Sequence, residues 1–297
     1  MIKVSIPASS ANLGAGFDAL GIALTLYNHI WMEEADGCHI ESADGADIPT
    51  DETNLVYQAA KALYEHCNKP FRGLYIQQES NIPMTRGLGS SSACLIGGLL
   101  GANTLIGSPL SRTEICHLAT KMEGHPDNVA PALMGGLVTS VVEQGHVYTT
   151  SLPVWPEITF AVFIPDFPLS TEMARSVLPD TLSRNDAVYN LSRAALMTAS
   201  LCTGKLDNLR VAVQDRLHQP YRKQFIPHLD EIFDIAYQSG AYAAAISGAG
   251  PSVLAILDRN NRSFVHDAEQ RLAALGITNW HVACFSCDPV GATVSAG

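Results

Sequence analysis

Charged residues are scarce in this chain, and basic ones are scarcer than acidic ones. Only 16% of the 297 residues are Asp, Glu, Lys or Arg, whereas 47% are hydrophobic. This composition is typical of a folded globular protein rather than a disordered one. The 18 basic and 29 acidic residues give a net charge of −11, which argues against a nucleic-acid or anionic membrane partner. Any phosphate group must therefore be bound by backbone amides and a few placed cations.

The chain also lacks a long hydrophobic run. The most apolar stretch, residues 95–106, is interrupted by glycine and asparagine, whereas a membrane-spanning helix needs about 20 apolar residues. The N-terminal residues Met1–Pro7 lead into a polar tract, unlike a secretory signal. The seven cysteines are odd in number and scattered, which suits reduced thiols. We therefore expect a cytoplasmic protein with no membrane partner.

Alternating and helical hydrophobic patterns are mixed without a regular repeat. Strands are predicted near residues 2–6, 20–26, 137–142, 158–164, 241–246, 252–257 and 279–285. Helices are predicted near residues 54–67, 90–105, 171–178, 187–202, 206–217, 227–238 and 263–275, and the capping box Ser111–Glu114 opens another. This mixture favours an α+β fold over a doubly wound sheet. Two prolines within residues 151–156 indicate a linker, so we predict domains of residues 1–152 and 153–297.

No Walker A loop is present, but the segment Pro83–Ala93 has the features of a different phosphate-binding loop. Gly87 and Gly89 allow a tight turn, and three serines follow at the start of a predicted helix. The first amides of a helix lack internal partners and carry partial positive charge, so they bind phosphate readily. Arg86 adds a cation. Taken alone, the pattern fits a serine-capped helix equally well.

Two other glycine clusters are weaker signals. Residues 14–19 match a loose dinucleotide-binding fingerprint, but a strand pattern follows where a helix is required, so we reject that interpretation. Residues 247–252, with the sequence SGAGPS, fit a tight turn between two strands.

Several polar residues stand out in this weakly charged chain. Asn12 and Asp18 flank the first glycine cluster, and Glu123–Asn128 concentrates Glu, His, Asp and Asn in six residues. Glu123 and a loop serine are candidates to share Mg²⁺, which takes few carboxylates plus phosphate oxygens. Arg175 and Arg222 are suited to binding a carboxylate, although a lone arginine is more often simply solvated.

Together these segments resemble the GHMP kinase superfamily. The superfamily has an N-terminal substrate segment, a phosphate loop and a C-terminal glycine turn, which correspond here to residues 7–18, 83–93 and 247–252. Within it, residues 7–18, 125–131, 170–175 and 218–227 are similar to the homoserine kinase family. The resemblance implies an N-terminal domain of ribosomal S5 domain-2-like fold and a C-terminal ferredoxin-like domain, with ATP and L-homoserine as substrates.

The resemblance also implies a role for each site residue. ATP binding is implied for Asn54, Pro83, Met84, Thr85, Arg86, Gly87, Leu88, Gly89, Ser90, Ser91, Ser92 and Ala93, and Mg²⁺ binding for Ser91 and Glu123. Substrate binding is implied for Asn12, Asp18, His125, Asp127, Arg175, Arg222 and Gly248. The catalytic candidates are Asn12, Asp18 and Asn128.

Phosphoryl transfer depends mainly on positioning and charge neutralisation. Other members of the superfamily use an Asp base, but the corresponding position here is Asn128, which cannot take a proton. We therefore expect direct attack by the hydroxyl, with Asp18 as the alternative base. Another GHMP kinase such as a mevalonate kinase, a non-catalytic ligand sensor and a serine hydrolase remain as alternatives, although the last lacks a G-x-S-x-G elbow. Related enzymes are often dimers, so a homodimer is also expected.

Overall fold

The computed structural model describes residues 1–297, which form two β-sheets covered by helices. The strands are β1 (Ile2–Ala11), β2 (Leu20–Glu34), β3 (Gly37–Ser42), β4 (Gly73–Glu79), β5 (Leu137–Glu143), β6 (His146–Leu152), β7 (Ile158–Pro165), β8 (Ala243–Ile246), β9 (Val253–Asp258), β10 (Trp280–Phe285) and β11 (Thr293–Ala296). The α-helices are α1 (Leu55–His66), α2 (Ser90–Leu105), α3 (Arg112–Glu123), α4 (Val129–Met134), α5 (Thr171–Ser176), α6 (Arg184–Thr203), α7 (Leu209–Ala212), α8 (Gln219–Arg222), α9 (Leu229–Gln238) and α10 (Phe264–Ala274).

The first sheet has the strand order β11-β1-β2-β4-β3, and the β5–β6 hairpin joins it through β2. Only β3 and β4 pair in parallel. Strand β1 is longer than predicted, because Ser9 and Ser10 continue it beyond the β-bulge at Pro7/Ala8. Both hydroxyls are buried and hydrogen-bonded. The polar tract after Pro7 is therefore part of a strand, and its two hydroxyls contact Asn128 and Ser247 at the neighbouring site.

The second sheet is antiparallel, with the strand order β10-β7-β9-β8. Numbered within this sheet alone, the order is 4-1-3-2, and helices connect the first strand to the second and the third to the fourth. This is the split βαβ arrangement of a ferredoxin-like domain, as predicted.

Both faces of the second sheet are buried. Phe160 and Val162 face a core of 50 buried residues that continues into the first sheet, whereas Ala161 and Phe163 face a separate core of 20 residues. The alternation follows from the two-residue period of a strand. The first sheet and the near face of the second sheet thus share one continuous core.

The C-terminal strand and the helix predicted from residue 206 also differ from the predictions. The first sheet ends its consecutive strands at Leu152, but β11 returns to pair with β1, so residues 293–296 lie in the first sheet and not with the rest of residues 153–297. This pairing covers an edge of β1 that would otherwise be open. The helix predicted over residues 206–217 ends at Ala212. Beyond it, the Asp215 carboxylate accepts the backbone amides of residues 217–219, which forms a turn instead.

None of the helices has both the length and the apolarity needed to span a membrane. All seven cysteines are free thiols, including Cys284 and Cys287, which are three positions apart in the sequence.

Candidate active site

The predicted phosphate loop leads directly into α2, and its backbone is held in a conformation that favours glycine. Gly87 and Gly89 both have φ of 72°. A Cβ atom on Gly89 would lie 2.1 Å from the Ser9 hydroxyl oxygen. The backbone amides of residues 90–92, the first turn of α2, donate to no protein acceptor. This end of the helix therefore presents free donors and positive potential to the space in front of it.

Glu123 lies beside the same helix end. It is the last residue of α3, and its carboxylate oxygens accept hydrogen bonds from the hydroxyls of Ser91 and Ser92, each at 2.9 Å. No group of three or more metal-ligating side chains is found in the molecule. One carboxylate with a neighbouring hydroxyl fits Mg²⁺, because that ion usually takes few protein ligands and several phosphate or water oxygens. The donor set of Ser91 and Glu123 therefore suits a nucleotide-bound Mg²⁺.

Asp18 and Arg175 form a bidentate ion pair opposite the phosphate loop. The two guanidinium nitrogens of Arg175 lie 2.6 and 3.0 Å from the Asp18 carboxylate oxygens. Burial disfavours the charged form of Arg175, but the hydrogen bonds and charge of Asp18 outweigh it and raise the Arg175 pKa. Asn12 supports the pair, because its Oδ1 accepts the Asp18 amide at 3.0 Å while its Nδ2 donates to the Gly248 carbonyl at 2.8 Å.

Arg222 is the most deeply buried cation of the site, with 1% of its surface exposed. Its Nε donates to the Ala174 carbonyl at 3.2 Å, and its Nη1 donates to the Gly248 carbonyl at 2.9 Å. Nη1 also lies 3.1 Å from Nδ1 of His218. Burial, and then repulsion from Arg175, lower the Arg222 pKa to about 10, so the side chain stays charged at neutral pH. Its Nη2 makes no hydrogen bond to the protein and remains available to a ligand.

His125, Asp127 and Asn128 lie between the phosphate loop and the arginines. Nδ1 of His125 is 2.5 Å from Oδ1 of the buried Asp127. Burial alone would lower the His125 pKa, but the hydrogen bond to Asp127 and its charge raise it. Asn128 accepts a hydrogen bond from the Ser9 hydroxyl at 2.9 Å, which fixes its amide at the start of α4.

These groups line one open cleft of about 650 Å³. The predicted residues that line it are Asn12, Asp18, Thr85, Arg86, Gly87, Gly89, Ser90, Ser91, Glu123, His125, Asp127, Asn128, Arg175, Arg222 and Gly248. Pro83, Met84, Leu88, Ser92, Ala93 and Asn54 do not line it. Of these, Leu88, Ser92, Ala93 and Asn54 are buried in the protein interior.

Asn54 and Arg86 make contacts within the protein that their predicted ATP-binding roles did not include. Asn54 is the buried N-cap of α1: its Oδ1 accepts the Val56 amide, and its Nδ2 donates to Pro49 and Gln78. Its side chain has no remaining donor or acceptor facing the cleft. Arg86 lies at the cleft, but its guanidinium donates to the carbonyls of Met84, Pro165 and Asp166. Arg86 thus ties the phosphate loop to the end of β7 instead of pointing a free cation at a ligand.

The C-terminal glycine turn closes the cleft next to the phosphate loop. The Ser247 hydroxyl donates to the Gly87 carbonyl at 2.6 Å, and the Gly248 amide donates to the Ala11 carbonyl at 3.1 Å. Sequence reasoning missed Leu169, Thr171, Ala249 and Gly250, which also line the cleft. For Thr171 a signal existed, because it lies four residues before Arg175 and hence on the same helix face.

Comparisons with known proteins agree with this architecture. The family model for the N-terminal domain of GHMP kinases matches residues 54–136, and the model for their C-terminal domain matches residues 197–271. Fold and cleft thus define a small-molecule kinase of the GHMP class. The chain is 48% identical over 297 residues to homoserine kinase of Caldicellulosiruptor bescii, covering 99% of this chain and 97% of the relative. It is 42% identical over 302 residues to homoserine kinase of Clostridium botulinum, covering 100% and 99%.

Solved structures give the same result. The homoserine kinase structure from Cytophaga hutchinsonii has a TM-score of 0.87 at 27% identity, covering 99% of this chain and 97% of that one. A putative homoserine kinase from Listeria monocytogenes has a TM-score of 0.81 at 35% identity, with full coverage of both chains. A mevalonate kinase structure matches at 0.69 with 15% identity, which reflects the shared fold alone. The chain belongs to the homoserine kinase family of the GHMP kinases.

Proposed function

We propose that this protein transfers the γ-phosphoryl group of ATP to the hydroxyl of L-homoserine, forming O-phospho-L-homoserine for threonine biosynthesis. The observation that carries the proposal is the pairing, in one cleft, of a helix end with free amides and a buried arginine with a free guanidinium edge. The first suits phosphates, and the second suits the carboxylate of an amino acid.

At the phosphate end, the amides of residues 90–92 bind the terminal phosphates of ATP. Ser91 and Glu123 would hold Mg²⁺, which would neutralise charge on the phosphate oxygens. Because the chain as a whole carries a net charge of −11, the attraction for ATP must come from local positive potential such as that of this helix end.

At the other end, Nη2 of Arg222 binds the substrate carboxylate, and the buried Asp127 binds the ammonium. An ammonium partner favours an amino acid over mevalonate, which has a carboxylate but no amine. Arg175 is paired to Asp18 on both nitrogens, so it contributes chiefly by holding Asp18 and by adding positive potential.

The ion pair also bears on the choice of a base. Both carboxylate oxygens of Asp18 already accept hydrogen bonds from Arg175, so a proton taken up by Asp18 would disrupt that ion pair. Asn128 has no basic site. We therefore propose that the hydroxyl attacks the γ-phosphorus directly, oriented by Asn12 and Asp18, and loses its proton late.

The proposal also covers the protein's location, partners and assembly. The free state of all seven cysteines supports a reducing, cytoplasmic location. We propose ATP and L-homoserine as the small-molecule partners, no nucleic-acid or membrane partner, and a homodimer as the assembly.

A coupled ADP-release assay over a panel of alcohols tests the proposal. The panel comprises L-homoserine, L-threonine, mevalonate, galactose and shikimate. We expect the highest kcat/KM with L-homoserine. A preference for mevalonate or a sugar would reassign the substrate, and no ADP release with any alcohol would favour a ligand sensor on the same fold.

A further inference from the structure

His218 is a buried histidine that contacts the proposed substrate arginine without lining the cleft itself. None of its surface is exposed, and it lies four residues before Arg222, just before the short helix α8. Its ring nitrogens have different partners. Nε2 is 2.8 Å from the Gly14 carbonyl, and Nδ1 is 3.1 Å from Nη1 of Arg222.

These two contacts define the protonation state of the ring. The Gly14 carbonyl can only accept, so Nε2 carries the proton and donates it. The Arg222 guanidinium can only donate, so Nδ1 must be the unprotonated acceptor. A second proton on the ring would point at the guanidinium. Burial, which is the largest influence, lowers the His218 pKa and agrees with the neutral form.

The surroundings hold His218 in this place. Gly14, whose carbonyl binds His218, is itself packed tightly against the backbone of Val213. A Cβ atom on Gly14 would lie 2.1 Å from the Val213 carbonyl oxygen. On the other side, Asp215 accepts the His218 amide at 2.9 Å and lies 3.6 Å from its Nε2. The ring of Phe17 stacks on His218 at 5.3 Å and lies 5.2 Å from the Arg222 guanidinium carbon. The charged groups near the His218 ring are thus Asp215, Asp18 and Arg222.

Arg222 needs this support because its other hydrogen bonds hold only part of the guanidinium group. The Ala174 carbonyl binds Nε, and the Gly248 carbonyl shares Nη1 with His218. We infer that His218, as the neutral Nε2–H tautomer, is a positioning residue that fixes the Arg222 guanidinium so that Nη2 faces the substrate carboxylate. The inference rests on the proposed function, because it assigns a carboxylate to that edge.

Two matched substitutions separate this role from simple core packing. In His218→Asn the side-chain amide oxygen can occupy the place of Nδ1 and still accept from Arg222, although the bond to Gly14 is lost. In His218→Gln the longer side chain reaches towards Gly14 and leaves no acceptor at the Nδ1 position. Arg222→Ala serves as the reference for complete loss of the guanidinium.

The KM for homoserine should depend on whether the variant keeps a hydrogen-bond acceptor for Arg222, and not on the size of the side chain. His218→Gln should raise that KM about tenfold or more, the range expected when a charged group loses one hydrogen bond. His218→Asn should stay within about threefold of the native value, and both should keep kcat and the KM for ATP. Thermal unfolding of each variant shows that it is folded. The inference is overturned if the two variants shift the homoserine KM equally, or if kcat and both KM values change together.

A second measurement is independent of the substrate assignment. In ¹⁵N NMR spectra of the histidine-labelled protein, compared with those of His218→Gln, the His218 resonances should show a protonated Nε2 and an unprotonated Nδ1. A protonated Nδ1 would overturn the inference even if the enzyme phosphorylates homoserine. Conversely, failure of the native enzyme to act on homoserine would show that the proposed function, and with it the carboxylate assignment, is wrong.

Discussion

At the scale of single residues, the clearest feature is that opposite charges are paired before any ligand is present. Asp18 is bound by Arg175, and Asp127 is bound by His125. Pairing keeps buried charges tolerable, since an unpaired one would cost several kcal/mol. Arg222 is the exception, because it is buried against carbonyls and a neutral histidine. It is therefore the cation best prepared to bind an incoming carboxylate.

Asp18→Asn tests the absence of a base. If Asp18 only orients groups, turnover should fall by less than ~100-fold, which is the lower bound of usual general-base contributions. The KM for homoserine should change as well, because the Arg175 ion pair is lost. Steady-state kinetics at saturating ATP measure both values. A larger loss of turnover with normal homoserine binding would establish Asp18 as the base.

His125 should make stability depend on pH. Its pKa in the folded protein is raised above 6.5, because the bond and charge of Asp127 outweigh the effect of burial. The folded state thus holds this proton more tightly than the unfolded chain does. The added stability is fully present below pH 6.5 and is lost as pH rises through the folded pKa. Thermal unfolding of the native protein and of His125→Gln, compared across the neutral range, should converge towards high pH. A constant difference would contradict the assignment.

At the scale of elements, α2 contributes most to the site. Its N-terminal amides have no protein acceptor, and they follow directly on the glycines of the phosphate loop. Gly89 and Gly107 lie at opposite ends of this helix, and both have positive φ, 72° and 88°. Alanine at either position should cost about 1 kcal/mol or somewhat more from backbone strain. Only Gly89→Ala also meets the Ser9 hydroxyl, whereas a Cβ on Gly107 meets nothing within 4 Å.

We therefore expect Gly89→Ala to raise the KM for ATP and lower kcat, while Gly107→Ala changes only the unfolding temperature. The comparison uses the same assay and the same melting experiment for both variants. Equal effects on ATP binding would show that general destabilisation, and not the phosphate loop, explains the loss.

Elements with strong local signals were predictable. The Ser111–Glu114 capping box is present and opens α3, and α2 begins at Ser90 as expected. Other elements depend on distant partners. Strand β11 pairs with the edge of β1, which is nearly 300 residues away in the sequence, and the segment after Ala212 is held in a turn by Asp215, which accepts the amides of residues 217–219.

The site was predictable in its residue types but less so in its contacts. The motifs brought Ser91, Glu123, Asp127 and Arg222 to one cleft, as expected. The neighbouring sequence could not predict that Asn54 caps a helix or that Arg86 donates a hydrogen bond to the end of β7, because these partners depend on how the chain folds. His218 is a similar case, since its neighbours come from residues 14 and 222.

At the scale of the whole molecule, the two sheets share a core and the C-terminal strand belongs to the first sheet. Removing residues 293–297 would expose the edge of β1 along its four paired positions, Ile2 to Ser5. We expect a lower unfolding temperature with unchanged KM values, because the cleft lies elsewhere. Deleting Gly297 alone, which leaves β11 intact, is the control. Altered substrate KM values in the folded truncated enzyme would contradict this separation.

The central claim is that one cleft holds the ATP phosphates at the start of α2 and the amino-acid carboxylate at Arg222. A crystal structure with a non-hydrolysable ATP analogue, Mg²⁺ and L-homoserine tests it most directly. The account predicts terminal phosphates on the amides of residues 90–92 and the carboxylate on Nη2 of Arg222. Triphosphate density away from α2, or a homoserine carboxylate with no contact to Arg222, would contradict it.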